Sequence, residues 1–301
     1  MLFFEDTSAE EQRIKETIKK YGDMPEHNFP WYQCQAEKKY HNVFVQRKNG
    51  MGILTIEEEG KKESTVFSSP LAPCKLRAEF LCEYITYVFC SGRIIKVFME
   101  LEDELYKEFI KNLQAGTKAR RVNYTLTWPI YDLGLFDSSL CGNKWKSLRK
   151  TKNKFYQNHI VTISDAKKYN DKKSLHLIID EWRKARKAHD RAYFIPYHTF
   201  IDKNFEGASE ARVFAVDGRA CGINAGWLIP NSNRFYGAMG IHDYSLPGLG
   251  DVLYLEDLSW LKAKGYKEAD MGGGEKALTE FKTKFHPKSF YKTRTFSVIK
   301  S

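Results

Sequence analysis

Residues 233–269 read NRFYGAMGIHDYSLPGLGDVLYLEDLSWLKAKGYKEA, and this stretch decides the fold. Arg234 to Ile241 is apolar and aromatic enough for a buried strand. SLPGLGD, Ser245 to Asp251, is a turn in which Pro247 breaks the strand and two glycines free the backbone. From Asp251 the apolar residues Val252, Leu255, Leu258 and Leu261 recur at helical spacing, with Leu253 and Trp260 widening the face. Asp251 suits the N-cap and Gly265 the C-terminal stop. A glycine turn running into a helix N-terminus aims free N–H groups at whatever lies above it, which is an anion site. A plain strand–helix connection satisfies the same pattern, so the neighbouring sequence has to decide.

Upstream, Glu210–Val216 and Ala220–Ile229 read as two more strands, joined by the hairpin signal Asp217-Gly218. A three-strand meander thus delivers the chain into the glycine turn. Downstream come a strand at Glu268–Met271, the run GGGE, a helix at Lys276–Phe285 and a final strand at Phe290–Ile299. The first part of the chain gives a similar outline. Ser8 to Tyr21 is an amphipathic helix with Ser8 and Glu11 placed for a capping box. His41 to Glu57 is a hairpin around Asn49-Gly50, followed by a strand at Ser64–Phe67 and the proline-bearing loop SSPLAPC. A buried helix at Leu76–Phe89, a strand at Arg93–Met99 and a helix at Glu102–Leu113 complete it. Between the two, Arg120–Leu133 alternates as a strand ending near Pro129. Gly142–Asn158 is a helix with six basic residues, Lys144, Lys146, Arg149, Lys150, Lys152 and Lys154, over a sparse apolar side of Trp145, Leu148 and Phe155. Ile160–Ile163 is a strand, about Asp171–Asp190 a long helix and Ile195–Lys203 a short one.

With 301 residues, 42% of them hydrophobic and 14% aromatic, the chain is long and apolar enough for a sizeable core, which excludes global disorder. No apolar run reaches membrane-spanning length, and the N-terminus turns acidic after four residues, unlike a secretory signal. A cytoplasmic protein is expected, with peripheral contact to an anionic membrane open. The six cysteines show no CxxC pairing and the eight histidines no HExxH, so no metal site is expected. Cys82 and Cys90 read as small buried hydrophobes. A net charge of +10 favours an anionic partner: nucleic acid, acidic lipid or a phosphorylated small molecule.

The order in the second half resembles the GNAT acyltransferase fold. MGGGEKALTEFKTKF (Met271–Phe285) resembles the glycine-then-FK segment of FemAB-type aminoacyltransferases. YDLGLFDSSLCGNKWKSLRKTKNKF (Tyr131–Phe155) is similar to the Lys/Arg-rich segment of the C-terminal domain of phosphatidylglycerol lysyltransferases. The resemblance implies an α/β (α+β) fold of two GNAT-like halves, 1–125 and 126–301, each a mixed, mainly antiparallel sheet flanked by helices. It implies acyl or aminoacyl transfer to an amine or hydroxyl, with acyl-CoA or aminoacyl-tRNA as co-substrate and no tightly bound cofactor. The acceptor would be a small molecule or a lipid, and tRNA a partner.

In that family the loop after the third meander strand cradles the donor's phosphates. Here Leu246, Gly248, Leu249, Gly250 and Asp251 occupy that position, although the loop has fewer Arg, Gln and Gly residues than is usual. Lys282 and Lys284 are further donor contacts. His242 and Asp243, at the strand's end, and Glu256, one turn into the helix, are the candidates to take the acceptor's proton. Asp270, between apolar neighbours, either bonds into the glycine turn or faces the site. The alternative is a non-catalytic binder of nucleic acid or anionic lipid working through the basic helix 142–158.

Overall fold

The computed structural model describes residues 1–186 and 193–301. In the first half the order is β1 (Leu2–Phe4), α1 (Glu11–Tyr21), α2 (Phe29–Gln33), β2 (Tyr40–Gln46), β3 (Gly52–Glu58), β4 (Glu63–Val66), α3 (Arg77–Cys90), β5 (Lys96–Glu102) and α4 (Asp103–Asn112). Then follow β6 (Thr117–Ala119), β7 (Tyr124–Asp132), α5 (Lys146–Asn158), β8 (Val161–Asp165), α6 (Lys172–Ala185) and α7 (Ile195–Asp202). The chain closes with β9 (Glu210–Val216), β10 (Arg219–Leu228), β11 (Arg234–His242), α8 (Leu249–Ala263), β12 (Glu268–Asp270), α9 (Lys276–Thr283) and β13 (Ser289–Lys300).

The expected unit occurs twice. Strands β2, β3 and β4 form an antiparallel meander, α3 follows, and β5 returns parallel to β4. In the second half β9, β10 and β11 form the meander, α8 follows, and β12 returns parallel to β11. The fold class is the expected one, but the two sheets are joined. The C-terminal strand β13 pairs antiparallel with β5 on one side and with β7 on the other. The resulting order is β1-β2-β3-β4-β5-β13-β7-β12-β11-β10-β9-β8, with β6 beside β13. Helices α3 and α4 cover the first half, where Val97, Met99 and Leu101 of β5 point into the core. Lys96, Phe98, Glu100 and Glu102 then fall on the opposite face, because side chains alternate along a strand. In the second half α6 and α7 cover one face and α5 and α8 the other.

Several local expectations are corrected. The capping box does not form, because Asp6 bonds the Ala9 N–H and α1 begins only at Glu11. Helix α8 starts at Leu249, so Asp251 lies in its first turn and Gly248, at φ +91°, takes the N-cap position. Trp260 is 38% exposed rather than buried; its indole N–H bonds Glu210. Cys82 is buried, but Cys90 at the end of α3 is exposed. Pro129 does not end its strand. Thr127 exchanges bonds with Gly274 and Tyr131 lies opposite Ala269. Pro129, between them, faces the gap where the chain leaves β12, so no ladder donor is lost there. The last residues of the helix expected to reach Asp190 lie outside the described residues.

Candidate active site

Two clusters of polar groups lie along β11. The first is at its C-terminal end. Asp243 accepts the Ser245 N–H at 2.8 Å and pairs with Arg219 at 2.5 Å, which tightens the turn. Burial would raise its carboxyl, but these two bonds outweigh it and hold Asp243 below the usual carboxylate range. Asp243 is thus a turn residue. The His242 ring lies over Gly250, where an added Cβ would come within 2.7 Å of Nε2. Burial pushes its imidazole down to about 4 against the pull of Asp243 and Asp251, so the ring is neutral at physiological pH. Leu246 and Leu249 anchor the turn in the core with Val252 and Phe155. Asp251 does not cap the helix; it pairs with Lys284, whose ammonium also sits over Phe281. His242, Gly248, Gly250, Asp251 and Lys284 therefore meet at the first turn of α8, whose leading N–H groups have no intrahelical acceptor.

Two candidates belong elsewhere. The Glu256 carboxylate is held by Lys152 at 2.7 Å and by the Tyr156 hydroxyl at 3.0 Å, both on α5. It lines a groove of about 660 Å³ with Ile163, Arg212 and Trp260, away from His242. Lys282 turns away from α8. It is buried, and its ammonium donates to the carbonyls of Met271 and Gly272 at 2.6 and 2.7 Å. Burial lowers it to about 8, with Asp270 working the other way.

Of the second cluster only Asp270 was legible in the sequence. Strands β11 and β12 pair over Arg234–Tyr236 and Glu268–Asp270, after which β11 runs on with no paired strand on that side among the described residues. Asp270, fully buried at the fork, accepts the Gly272 N–H at 3.0 Å and the Tyr291 hydroxyl at 2.7 Å. Of its two expected alternatives, the bond into the glycine turn is formed. Register explains what surrounds it, since residues directly opposed on neighbouring strands share a face. Tyr236 opposes Asp270, Tyr291 opposes Trp128, and Thr293 and Thr295 oppose Glu102 and Glu100. Tyr291 stacks on Trp128 at 5.5 Å, and the Trp128 indole N–H donates to Thr293 at 2.9 Å. Thr293 and Thr295 both donate to Glu100.

A fourth carboxylate, Glu26, arrives from the loop between α1 and α2, where Ser68 donates to it at 3.4 Å. That loop spans the seam: the Trp227 indole bonds the Pro25 carbonyl, and His27 contacts the Ser69 carbonyl. Burial, then Glu100, push Glu26 up to about 8, and burial pushes Asp270 up to about 6. Glu100 is raised by burial, and Glu102 by burial and then by Asp23. Four carboxyls drawn from both halves are thus raised above the usual carboxylate range. Such a cluster can accept an ammonium group or take a proton from one near neutral pH. His242 is six residues beyond Tyr236, so the two clusters are about 20 Å apart along the strand.

The architecture is a duplicated GNAT-like fold. The C-terminal domain of a candidate lysylphosphatidylglycerol synthetase from Agrobacterium fabrum matches it with a TM-score of 0.68 at 14% identity, over 98% of this chain and 92% of that one. FemX matches with a TM-score of 0.60 at 11% identity, over 99% and 97% of the two chains. A tandem GNAT protein from the clavulanic acid biosynthesis pathway matches with a TM-score of 0.57 at 11% identity, again over 99% and 97%. No protein-family model and no curated protein matches the sequence. Among the described residues no helix is long and apolar enough to cross a membrane.

Proposed function

We propose that the chain is an acyltransferase moving an acyl or aminoacyl group from acyl-CoA or aminoacyl-tRNA to an amine or hydroxyl. The observation that carries this reading is the fork of β11 and β12, with a helix N-terminus at one end of the open strand and raised carboxylates at the other. A donor lying along β11 would rest its phosphates on the backbone of Leu246–Asp251, with Lys284 at the rim, and bring its carbonyl to the seam. The acceptor's nitrogen or oxygen forms a bond to the carbonyl carbon, and the carbon–sulfur or carbon–oxygen bond to the carrier breaks. The acceptor's proton passes to a seam carboxylate, Asp270 or Glu26, and the leaving group takes up a proton. Holding the two reactants in line supplies several kcal/mol of the acceleration.

The carboxylates favour an acceptor or acyl group that carries an amine. The likeness to a lysylphosphatidylglycerol synthetase domain supports a lipid acceptor at a membrane surface, and a small-molecule acceptor fits the same seam. In this reading residues 1–125 are the supporting half and 126–301 carry the donor turn. The test is calorimetry with coenzyme A and with aminoacyl-tRNA, followed by a transfer assay with amine and lipid acceptors. Binding of either donor and amide or ester formation is expected. Absence of binding to both would remove the proposal.

A further inference from the structure

We infer that His27 is a positioning residue for the transfer: its imidazole pins the loop between α1 and α2 across the seam and so holds the Glu26 carboxyl in place. The ring is almost fully buried. Its Nδ1 lies 3.0 and 3.1 Å from the backbone nitrogens of Asp23 and Met24, which donate to it. An Nδ1 that accepts two N–H groups carries no proton. The ring proton is therefore on Nε2, which donates it to the Ser69 carbonyl at 2.9 Å. One neutral ring thus satisfies two backbone donors and one acceptor. Burial, with a smaller push from Arg77, lowers the imidazole to about 4 against the pull of Ser69 and Asp23. The same tautomer is kept at physiological pH.

The loop, residues 22–28, ties the two halves together with contacts that alternate between them. On the second half Asn231 donates to the Gly22 carbonyl at 2.7 Å and the Trp227 indole to the Pro25 carbonyl at 2.8 Å. Asn28 donates to the Gly207 carbonyl at 3.0 Å. On the first half Arg77 pairs with Asp23 at 2.7 Å, Ser68 donates to Glu26 at 3.4 Å and Ser69 accepts from His27. The bond from Ser68 is long and weak, so it does not fix Glu26 by itself. Glu100 and Asp270 both oppose the charged form of Glu26. A freed loop would let that carboxylate swing out to water, away from both charges. The adjacent ring prevents this, because moving it would strand two N–H groups and a carbonyl in a buried space. His27 acts through Glu26 and takes no proton itself.

The inference rests on the transferase reading only for what Glu26 does in the reaction; its placement is measured without any substrate. The experiment is a pH titration of the whole protein, isotope-labelled at the glutamate carboxyls and followed by NMR. Glu26 is assigned by the signal lost in E26Q. In the parent it should titrate at about 8. In His27→Ala it should fall to within about one unit of its ordinary 4.5. H27N and H27Q divide the ring's two roles. The Asn oxygen takes the place of Nδ1 and accepts the same two N–H groups, so H27N should keep at least about half of the rise. The Gln amide reaches Ser69 but offers no acceptor at the Nδ1 position, so H27Q should fall as H27A does. Ile85→Val, a core change in α3, controls for general destabilisation and should leave Glu26 as in the parent. The pH–rate inflection of Glu26 should move with its titration.

An unchanged Glu26 in folded H27A would overturn the inference. So would equal values in H27N and H27Q, and that pair decides the matter if H27A does not fold. A Glu26 that falls while the pH–rate inflection stays in place would overturn the positioning role and leave the transferase reading intact. A Glu26 that falls in H27Q, in a protein whose parent transfers no acyl group to any acceptor, would support the pin and remove the transferase reading.

Discussion

After β4 the chain runs through Ser68–Pro73 into α3, and after β11 it runs through Asp243–Gly248 into α8. The two turns hold equivalent places in the repeated unit and have opposite characters. In the first half Leu71 exchanges backbone bonds with Gly52 at 2.8 and 3.0 Å and is fully buried. Arg77, the first residue of α3, bonds the Ala72 carbonyl and pairs with Asp23 at 2.7 Å. The first turn is thus closed by backbone pairing to β3 and by the Arg77–Asp23 ion pair. In the second half Gly248 allows the left-handed turn and Gly250 lets His242 lie against the helix start. One copy of the unit is sealed into the sheet, and the other stays open at its helix N-terminus. The repeated unit keeps the same strand–helix–strand order in both halves, while the two turns differ in geometry.

The largest effect is expected at that open turn. Gly250→Glu places a carboxylate and its side chain against His242 and the first turn of α8. Donor binding measured by calorimetry should fall by about 100-fold, near 3 kcal/mol. The matched change in the first half, Lys75→Glu on the exposed turn just before α3, should leave it unaltered. Equal losses in both would break the contrast between the halves.

Next comes Asp270→Asn, which should lower the transfer rate by roughly 10- to 100-fold. For the parent protein the rate should rise with pH through about 6, where Asp270 loses its proton, and Glu26→Gln should remove a second inflection near 8. Stability should run the other way. Both carboxyls bind protons more tightly folded than unfolded, so their contribution is present at low pH and is lost as pH rises from about 4 through about 8. Urea unfolding at pH 5 and pH 8 should show a drop that either substitution reduces by the order of 2 kcal/mol.

Arg77→Met should cost about 2 kcal/mol of stability, since it leaves Asp23 without its partner, while donor affinity is retained. A donor affinity that fell with it would mean that the sealed turn also serves the site. The smallest effect is expected for Tyr291→Phe. The tyrosine hydroxyl lowers the Asp270 carboxyl, so its removal should move the pH–rate inflection upward by about half a unit.

The meanders, the helices and the repeat were readable because each has a local signature. The period-2 alternation of β2 and β3, the Asp217-Gly218 hairpin and the glycine turn before α8 need no distant partner to be recognised. The turn-associated candidates, from His242 to Asp251, followed from the same signals. The structure gathers His242, Gly248, Gly250, Asp251 and Lys284 at one place. It sends Glu256 to α5 and Lys282 to the glycine run, because residues one or two positions apart on a helix face different ways.

The seam cluster had no such signature. Glu26, Glu100, Glu102 and Asp270 are far apart along the chain, and only Asp270, between apolar neighbours, stands out locally. The sequence alone determined the repeated strand–helix–strand unit, the glycine turn and the basic helix, since these depend on neighbours in the chain. Only the tertiary structure decided that β13 joins the two halves, that the pairing register brings Glu100, Glu102, Asp270, two threonines and a stacked Trp–Tyr pair onto one face, and that the α1–α2 loop adds Glu26. Their raised proton affinity follows from that burial and that proximity, and neither is a property of any segment taken by itself.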